Sequence, residues 1–186
     1  QYISSDTSPP SDDENLSTED TPSTEDIPSS EEVSLTVNDV AFIGDSRTLS
    51  MATGGKLEYA FFPSSSVFAT WGGKITDTTA TTNTQAAADA NKKIAIFWFG
   101  INDVQSSDLA IRNDASLFRS NYENLIDLYR QTNPDSSIVV LSILTTSTQE
   151  KDYYEGQEDN ILAYNKELQA LCQEKNYTYL DITSLY

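Results

Sequence analysis

The sequence contains no histidine and a single cysteine, Cys172, among its 186 residues. A disulfide within the chain is therefore impossible, as is a zinc site built from several histidine or cysteine ligands. We expect no metal and no other cofactor. The chain also lacks any run of about 18 apolar residues, so no segment is expected to span a membrane. Cys172 falls on the apolar stripe of a predicted helix, which indicates core packing rather than thiol chemistry.

Positive charge is also scarce, with 11 Lys and Arg against 29 Asp and Glu and a formal net charge of −18. Ten of the acidic residues lie within residues 1–36, which contain no Lys or Arg, so the rest of the chain carries −18 less −10, or −8. Nucleic-acid binding needs a positive surface to meet the phosphates, and anionic membranes likewise attract basic segments. We therefore expect neither as a partner.

Residues 1–36 consist mainly of Ser, Thr, Pro, Asp and Glu, with few large apolar side chains. Such a composition cannot bury enough surface to offset the entropy of an ordered backbone, so it predicts a disordered acidic tail or linker. A surface tether and a tail that only aids solubility are both compatible with it. Residues 37–186 are predicted to form one domain.

Within that domain, short apolar runs alternate with helical patterns. Strands are predicted at residues 40–43, 65–71, 94–100, 137–144 and 177–182, and helices at residues 82–93, 113–131 and 158–175. The alternation predicts a three-layer α/β/α sandwich with a central, mainly parallel sheet of the flavodoxin-like type. Binding sites in such folds lie at the carboxyl ends of the strands.

Two of the predicted helices carry apolar residues at helical spacing, which we expect to face the core. The first stripe consists of Leu117, Phe118, Tyr122, Leu125, Ile126 and Tyr129. The second consists of Ile161, Leu162, Leu168, Leu171 and Cys172.

Unusual polar residues follow the predicted strands, at 44–47, 72–73, 100–103 and 145–148. Gly44 allows a tight turn from strand to helix, and Asp45 or Ser46 could simply cap that helix. Asn102 could likewise be only a turn residue. However, both junctions lie at strand ends and would bring Ser46 and Asn102 together. An Asn amide beside a Ser hydroxyl is a usable oxyanion donor, and the Gly72-Gly73 turn can add a backbone N–H.

The segments "AFIGDSRT", "WGGK" and "FGIND" resemble, in order and spacing, the SGNH hydrolases, also called the GDSL esterase/lipase family. The GDSRT form is similar to that of a secreted bacterial clade. The resemblance implies that Ser46 is the nucleophile. It also implies an oxyanion hole formed by the Ser46 N–H, the N–H of Gly72 or preferably Gly73, and the Asn102 side chain.

The resemblance further implies a substrate pocket built on Asp45, Arg47, Gly72 and Asp103. In that pocket Asp45 and Asp103 would hold the turns. Arg47 would anchor its turn or meet a carboxylate or hydroxyl of the substrate, and the residues leave both open.

The sequence departs from the family at one essential point. Members carry an Asp-x-x-His near the carboxyl terminus, in which the His takes the serine proton and the Asp orients the His. This sequence has no His, and Asp181-Ile182-Thr183-Ser184 is rejected as a substitute because it falls at the exit of the last strand. We expect either that the sequence stops short of that block or that the base has been lost.

Two functions from different classes remain open. The first is an extracellular or cell-surface serine esterase that removes short acyl groups, such as acetyl, from carbohydrate; without its His it would be inactive or very slow. The second is a non-catalytic binding module on the same fold. An acyltransferase is a third possibility, and the oligomeric state stays open. Residues 153–160 are the expected rim of the pocket, and aromatic residues that could line it are Tyr59, Phe61, Phe62, Trp71, Tyr153 and Tyr154.

Overall fold

The computed structural model describes residues 34–53, 63–144 and 156–183. Within these residues, the strands form one five-stranded parallel sheet. The strands are β1 (Val40–Gly44), β2 (Val67–Ala69), β3 (Ile94–Trp98), β4 (Ser137–Leu141) and β5 (Thr178–Leu180). The predicted parallel α/β architecture is confirmed. The predicted tail falls almost entirely on residues outside these ranges, and the tail and the domain limits at residues 36 and 37 stay predictions.

Helices connect the strands. They are α1 (Ser46–Thr53), α2 (Thr78–Asp89), α3 (Ile101–Val104), α4 (Leu109–Arg112), α5 (Ala115–Thr132) and α6 (Glu158–Lys175). Single turns of 3₁₀ helix precede β1 and β2, at Val37–Asp39 and Ser64–Ser66. In the part of the chain that the structure describes, no helix is long and apolar enough to cross a membrane.

The strand order is β2-β1-β3-β4-β5. The chain therefore moves one way from β1 to β2 and then crosses over β1 to reach β3. Right-handed crossovers then put α1 on one face and α2, α5 and α6 on the other. Contacts of α2 with α5 and of α5 with α6 agree with this arrangement. The reversal makes the carboxyl ends of β1 and β3 a topological switch point, where open α/β sheets form their binding crevices.

The core lies between the sheet and α2, α5 and α6. Phe97 and Phe99 pack against Tyr122, and the Phe118 and Tyr164 rings stack with their centroids 4.1 Å apart. Both predicted stripes need one correction, because Leu117 is 39% exposed and Leu162 is 61% exposed. Each of these two side chains is the sequence neighbour of a buried residue, Phe118 or Ile161, and therefore lies about 100° further round its helix.

Cys172 is buried in the core as a free thiol, as predicted. Burial raises the pKa of its thiol to about 12. The thiolate is the nucleophilic and metal-binding form of cysteine, and at neutral pH it is absent from this side chain. Cys172 therefore contributes packing and no chemistry.

Element boundaries differ from the predictions where packing or backbone geometry overrides the local pattern. Helix α2 begins at Thr78 rather than residue 82, because Ala80 and Thr84 are buried and continue the face that packs on the sheet. Strand β3 ends at Trp98 rather than residue 100, because Gly100 adopts φ +125°. The four-residue helices α3 and α4 were not predicted, since they are too short to show a period.

Candidate active site

Gly44 ends the interior strand β1 where the backbone passes very close to its neighbours. A Cβ atom at this position would lie 2.1 Å from Thr48 Oγ1 and 2.4 Å from the carbonyl oxygen of Trp98. The Asp45 N–H donates to that same carbonyl at 3.3 Å, and helix α1 then begins at Ser46. The absence of a side chain at Gly44 therefore lets the chain turn directly from strand to helix, with Ser46 at the helix start.

Asp45 fixes the first turn of α1 with a fully buried carboxylate. Its Oδ1 accepts the Arg47 backbone N–H at 3.0 Å, as a helix-capping aspartate does. The guanidinium of Arg47 donates to both carboxylate oxygens, from Nε at 3.3 Å and from Nη2 at 3.0 Å. The two residues that flank Ser46 therefore hold each other in one geometry.

Trp98 extends this arrangement across the sheet. Its indole lies under the Arg47 guanidinium, with Arg47 Cζ 4.7 Å from the ring centroid. The indole Nε1–H donates to the Ser142 carbonyl at 3.1 Å, just beyond β4. Because Trp98 is opposite Gly44 in the parallel register, the Arg47 side chain is seated on the neighbouring strand.

The glycine turn after β2 is tied to α3 by two hydrogen bonds. Asn102 donates from Nδ2 to the Gly73 carbonyl at 3.0 Å, and the Ile75 N–H donates to Asp103 Oδ1 at 3.1 Å. Gly72 adopts φ +66° and is exposed, whereas Gly73 is buried. An amide nitrogen carries two hydrogens, so Asn102 keeps one for a ligand while the other holds the turn.

Asp103 is fully buried beneath that turn. Burial raises the pKa of its carboxyl to about 7, and the nearby carboxylates of Asp45 and Asp77 push it in the same direction. The Ile75 N–H and Lys74 act the other way. Asp103 is therefore a weak acid that holds its proton to near-neutral pH.

The structure brings the predicted site residues into two linked groups. Asp45 and Arg47 flank Ser46 at the end of β1, and Asn102 joins Gly73 at the ends of β3 and β2. The registers Gly44 to Ala69 and Gly44 to Trp98 align these three strand ends. Neither Asp45 nor Asp103 has exposed surface through which to touch a substrate, so both act by holding turns. Arg47 anchors its turn and stays 22% exposed.

Several contributors were not predicted from the sequence. Trp98 and Ser142 lie in or beside apolar runs, where nothing in the residue type marks a contact with Arg47. Other expected contributors lie outside the described residues, namely residues 145–148, Tyr59, Phe61, Phe62, Tyr153 and Tyr154. The expected rim at 153–160 is described only from Gly156, and Glu158 already belongs to α6.

Among residues 34–53, 63–144 and 156–183, no group of three Cys, Asp or Glu side chains could hold a metal ion. The absence of a cofactor stays a prediction. The chemistry available at the site is that of a hydroxyl, an amide, backbone N–H groups and a guanidinium.

Solved structures similar to this chain include three esterases. One is an acetyl xylan esterase, with a TM-score of 0.54, 18% identity, and coverage of 78% of this chain and 77% of that one. Another is a carbohydrate esterase family 3 protein from Talaromyces cellulolyticus, with a TM-score of 0.52, 18% identity, and coverage of 76% and 77%. The third is a variant of an acetyl-xylooligosaccharide esterase from Geobacillus, with a TM-score of 0.54, 14% identity, and coverage of 78% and 76%. At these identities the likeness concerns the fold.

Among curated proteins, none matches this sequence. The model of the GDSL-like lipase/acylhydrolase family, however, matches residues 42–186, which include every site residue described above. The matched region begins inside β1 and takes in the Ser46 turn, the glycine turn and α3. The chain belongs to the GDSL-like lipase/acylhydrolase family.

Proposed function

We propose that this protein is a serine esterase that removes short acyl groups, acetyl above all, from carbohydrate. The observation that carries the proposal is the position of Ser46, the first residue of α1 at the carboxyl end of β1, beside the switch point between β1 and β3. The Asn102 amide and the Gly73 turn are bonded to each other at the adjoining strand ends. Membership of an acylhydrolase family supports the same reaction class.

In the proposed reaction, the Ser46 hydroxyl gives its proton to a solvent hydroxide ion, and its Oγ attacks the carbonyl carbon of the ester. The carbonyl π electrons move to oxygen, and the oxyanion accepts hydrogen bonds from Asn102 Nδ2 and from the N–H groups of Ser46 and Gly73. The Ser46 N–H is suited to this because the first N–H groups of a helix have no partner within the helix. The oxyanion then collapses to a carbonyl, the carbon–oxygen bond to the alcohol breaks, and the departing alkoxide takes a proton from water. Water attacks the acyl-serine in the same way, which releases the acid and restores Ser46.

The proton of Ser46 is the weak point of this mechanism, because these 186 residues contain no histidine to accept it. A positioned general base contributes roughly 10²–10⁴-fold to such a reaction. Oxyanion stabilisation and binding alone leave roughly 10³–10⁴-fold over water. We therefore expect slow turnover from this chain. Its rate should rise steadily with hydroxide concentration, without the inflection near pH 6–7 that an imidazole base gives.

Two observations support the substrate class. The similar structures include an acetyl xylan esterase and an acetyl-xylooligosaccharide esterase. The acidic net charge of −18 favours a neutral ester over an anionic one. Polymeric carbohydrate esters lie outside cells, so we assign the protein to the extracellular space or the cell surface, with residues 1–36 as the tether.

The first experiment compares the 186-residue protein with its Ser46→Ala variant. An alkyl fluorophosphonate should add to Ser46 Oγ with loss of fluoride, and intact-mass spectrometry should detect one adduct on the wild type and none on the variant. Hydrolysis of p-nitrophenyl acetate should fall to the buffer rate in Ser46→Ala. Equal hydrolysis by the two proteins would exclude Ser46 as the nucleophile.

Added imidazole provides the matched test of the missing base. We expect the wild-type rate, corrected for hydrolysis by imidazole alone, to rise with imidazole concentration, because the added base takes the proton of Ser46. Ser46→Ala should show no such rise. If wild type shows neither a fluorophosphonate adduct nor rescue, the second candidate function gains support. That function is binding of an ester or acetyl group without turnover, which the lack of histidine favours.

A further inference from the structure

Trp71 is the most exposed large apolar side chain among the residues that the structure describes, with 71% of its surface accessible. It directly precedes Gly72 and Gly73 at the carboxyl end of β2. Single exposed apolar residues are common on protein surfaces and need no explanation of their own. Trp71 differs from them because its neighbours in the chain belong to the candidate active site.

The backbone next to Trp71 is held in place on its carboxyl side. Gly73 accepts the Asn102 amide at 3.0 Å, Ile75 donates to buried Asp103 at 3.1 Å, and Lys74 donates to Asp77 Oδ2 at 2.8 Å. The indole is therefore presented on a fixed turn rather than on a loose loop. A pre-positioned aromatic ring loses little conformational freedom when a ligand covers it.

Gly72, the residue that follows Trp71, is also exposed. A Cβ atom added to Gly72 would meet nothing within 4 Å, although Gly73, one residue further, is buried against Thr70 and Asn102. The open residue Gly72 is thus adjacent in the chain to Gly73, whose carbonyl oxygen accepts the Asn102 amide. A ligand that covers Trp71 would therefore lie two residues along the chain from the carbonyl that Asn102 contacts.

We propose that Trp71 is the stacking platform for a neutral sugar ring of the substrate, and that it sets the preference for carbohydrate esters. Axial C–H groups give a pyranose an apolar face, and an indole offers a flat, electron-rich surface to such groups. Residues 37–186 carry a net charge of −8, which opposes acidic ligands and leaves neutral sugars unaffected. This assignment deepens the esterase proposal and rests on it for the position of the reacting ester.

The test compares wild type, Trp71→Ala and Trp71→Phe, with Leu35→Ala as the matched control. Leu35 is 52% exposed and precedes β1, so it lies at the opposite end of the strand from Ser46. The probes are acetylated xylo-oligosaccharides and p-nitrophenyl acetate, which has no sugar. Binding of the saccharides is measured by isothermal titration calorimetry. We expect Trp71→Ala to weaken saccharide binding between about twofold and tenfold, with Trp71→Phe intermediate and Leu35→Ala equal to wild type.

A second readout separates a binding role from a structural one. In Trp71→Ala, the ratio of kcat/KM for the acetylated saccharide to kcat/KM for p-nitrophenyl acetate should fall by the same factor. Equal losses on both substrates would overturn the proposal, because they would mean that Trp71 only supports the glycine turn. Unchanged saccharide affinity in Trp71→Ala would overturn it directly.

Calorimetry keeps this inference distinct from the esterase proposal. If Ser46 fails to react with the fluorophosphonate but saccharide binding depends on Trp71, the platform stands and the esterase does not. If Ser46 reacts but wild type binds no saccharide, the platform is overturned alone. Light scattering tests the alternative that a second copy of the chain covers Trp71. If wild type self-associates, Trp71→Ala does not, and neither binds saccharide, the ring belongs to a contact between copies and the proposal is overturned.

Discussion

The side-chain amide of Asn102 donates to the carbonyl oxygen of Gly73 across 3.0 Å. This one hydrogen bond joins the segment after β3 to the segment after β2, with β1 and Ser46 between them in the sheet. It consumes one of the two amide hydrogens and leaves the other for a ligand. A single substitution at Asn102 therefore removes both this hydrogen bond and the proposed oxyanion donor.

Replacing Asn102 should slow acyl transfer without unfolding the protein. Asn102→Ala removes the proposed oxyanion donor, and loss of one such donor costs about 10²–10³ in rate. Asn102→Asp has nearly the same shape and cannot donate when ionised, so it should be equally slow. The rate of Ser46 modification by the fluorophosphonate measures this even if turnover is slow. Rates within twofold of wild type would contradict the donor role.

Asp103 should make the protein less stable as the pH rises from about 4 to 7. Its pKa lies at about 7 in the folded state, against an ordinary value of 3.8, so the folded state holds the proton more tightly. Its favourable contribution is complete below pH 4 and is lost as the pH rises through 7, with an upper bound on the order of 4 kcal/mol. Asp103→Asn imitates the protonated form and should flatten this part of the profile.

Urea denaturation of wild type and Asp103→Asn at half-unit steps from pH 4 to pH 8 provides the measurement. The two curves should meet near pH 4 and separate as the pH rises, with the variant the more stable at pH 8. Asp39→Asn serves as the control, because the pKa of Asp39 is lowered to about 2 and its titration lies below this range. Parallel curves for wild type and Asp103→Asn would contradict the raised pKa.

Gly44 and Gly72 should respond differently to alanine. Gly44→Ala places a Cβ 2.4 Å from the backbone oxygen of Trp98, which cannot move without disturbing β3. We expect a loss of about 2–4 kcal/mol in the free energy of unfolding. Gly72→Ala meets no atom within 4 Å but must adopt φ +66°, which costs about 1–2 kcal/mol. Gly72→Asn should recover part of that loss, whereas Gly44→Asn should not. Equal losses at both positions would contradict the steric interpretation of Gly44.

Arg47 should be far more important for stability than an arginine on the surface. Arg47→Ala leaves the fully buried Asp45 carboxylate without its ion pair, a change that costs about 3 kcal/mol. Arg47→Lys should recover little, since an ammonium cannot form the two-pronged contact or lie flat on Trp98. The control is Arg119→Ala on α5, whose partners Glu167 and Glu174 both remain in contact with solvent, with an expected loss under about 1 kcal/mol. Similar losses for the two alanine variants would contradict this ranking.

The sequence was most informative where a local pattern and the tertiary fold agree. The apolar runs of β1, β3 and β4 and the stripes of α5 and α6 identified the parallel sheet, and the Gly-Asp-Ser and Gly-x-Asn-Asp junctions fell at the expected strand ends. Both junctions lie beside the switch point between β1 and β3, where open α/β sheets form their binding crevices.

The features that escaped prediction depend on contacts between distant segments. No local pattern predicts that the Arg47 guanidinium packs on the Trp98 ring or that the Ser142 carbonyl accepts the indole N–H, because both contacts depend on strand register. The burial of Asp103 is equally invisible, since an Asp in such a junction is ordinarily an exposed turn residue. Leu117 and Leu162 were misassigned because helical spacing fixes a stripe but not how far the sheet extends beneath it.

The parallel register that aligns Gly44 with Ala69 and Trp98 also affects how the protein reaches its working form. Parallel pairing joins segments far apart in the chain, and such long-range contacts form slowly because loop-closure entropy opposes them. No hairpin or isolated helix along the way contains Ser46, the glycine turn and Asn102 together. Ser46 of a newly made chain should therefore not react with the fluorophosphonate until the central strands have paired. The rate at which Ser46 becomes reactive during refolding then measures the last stage of folding.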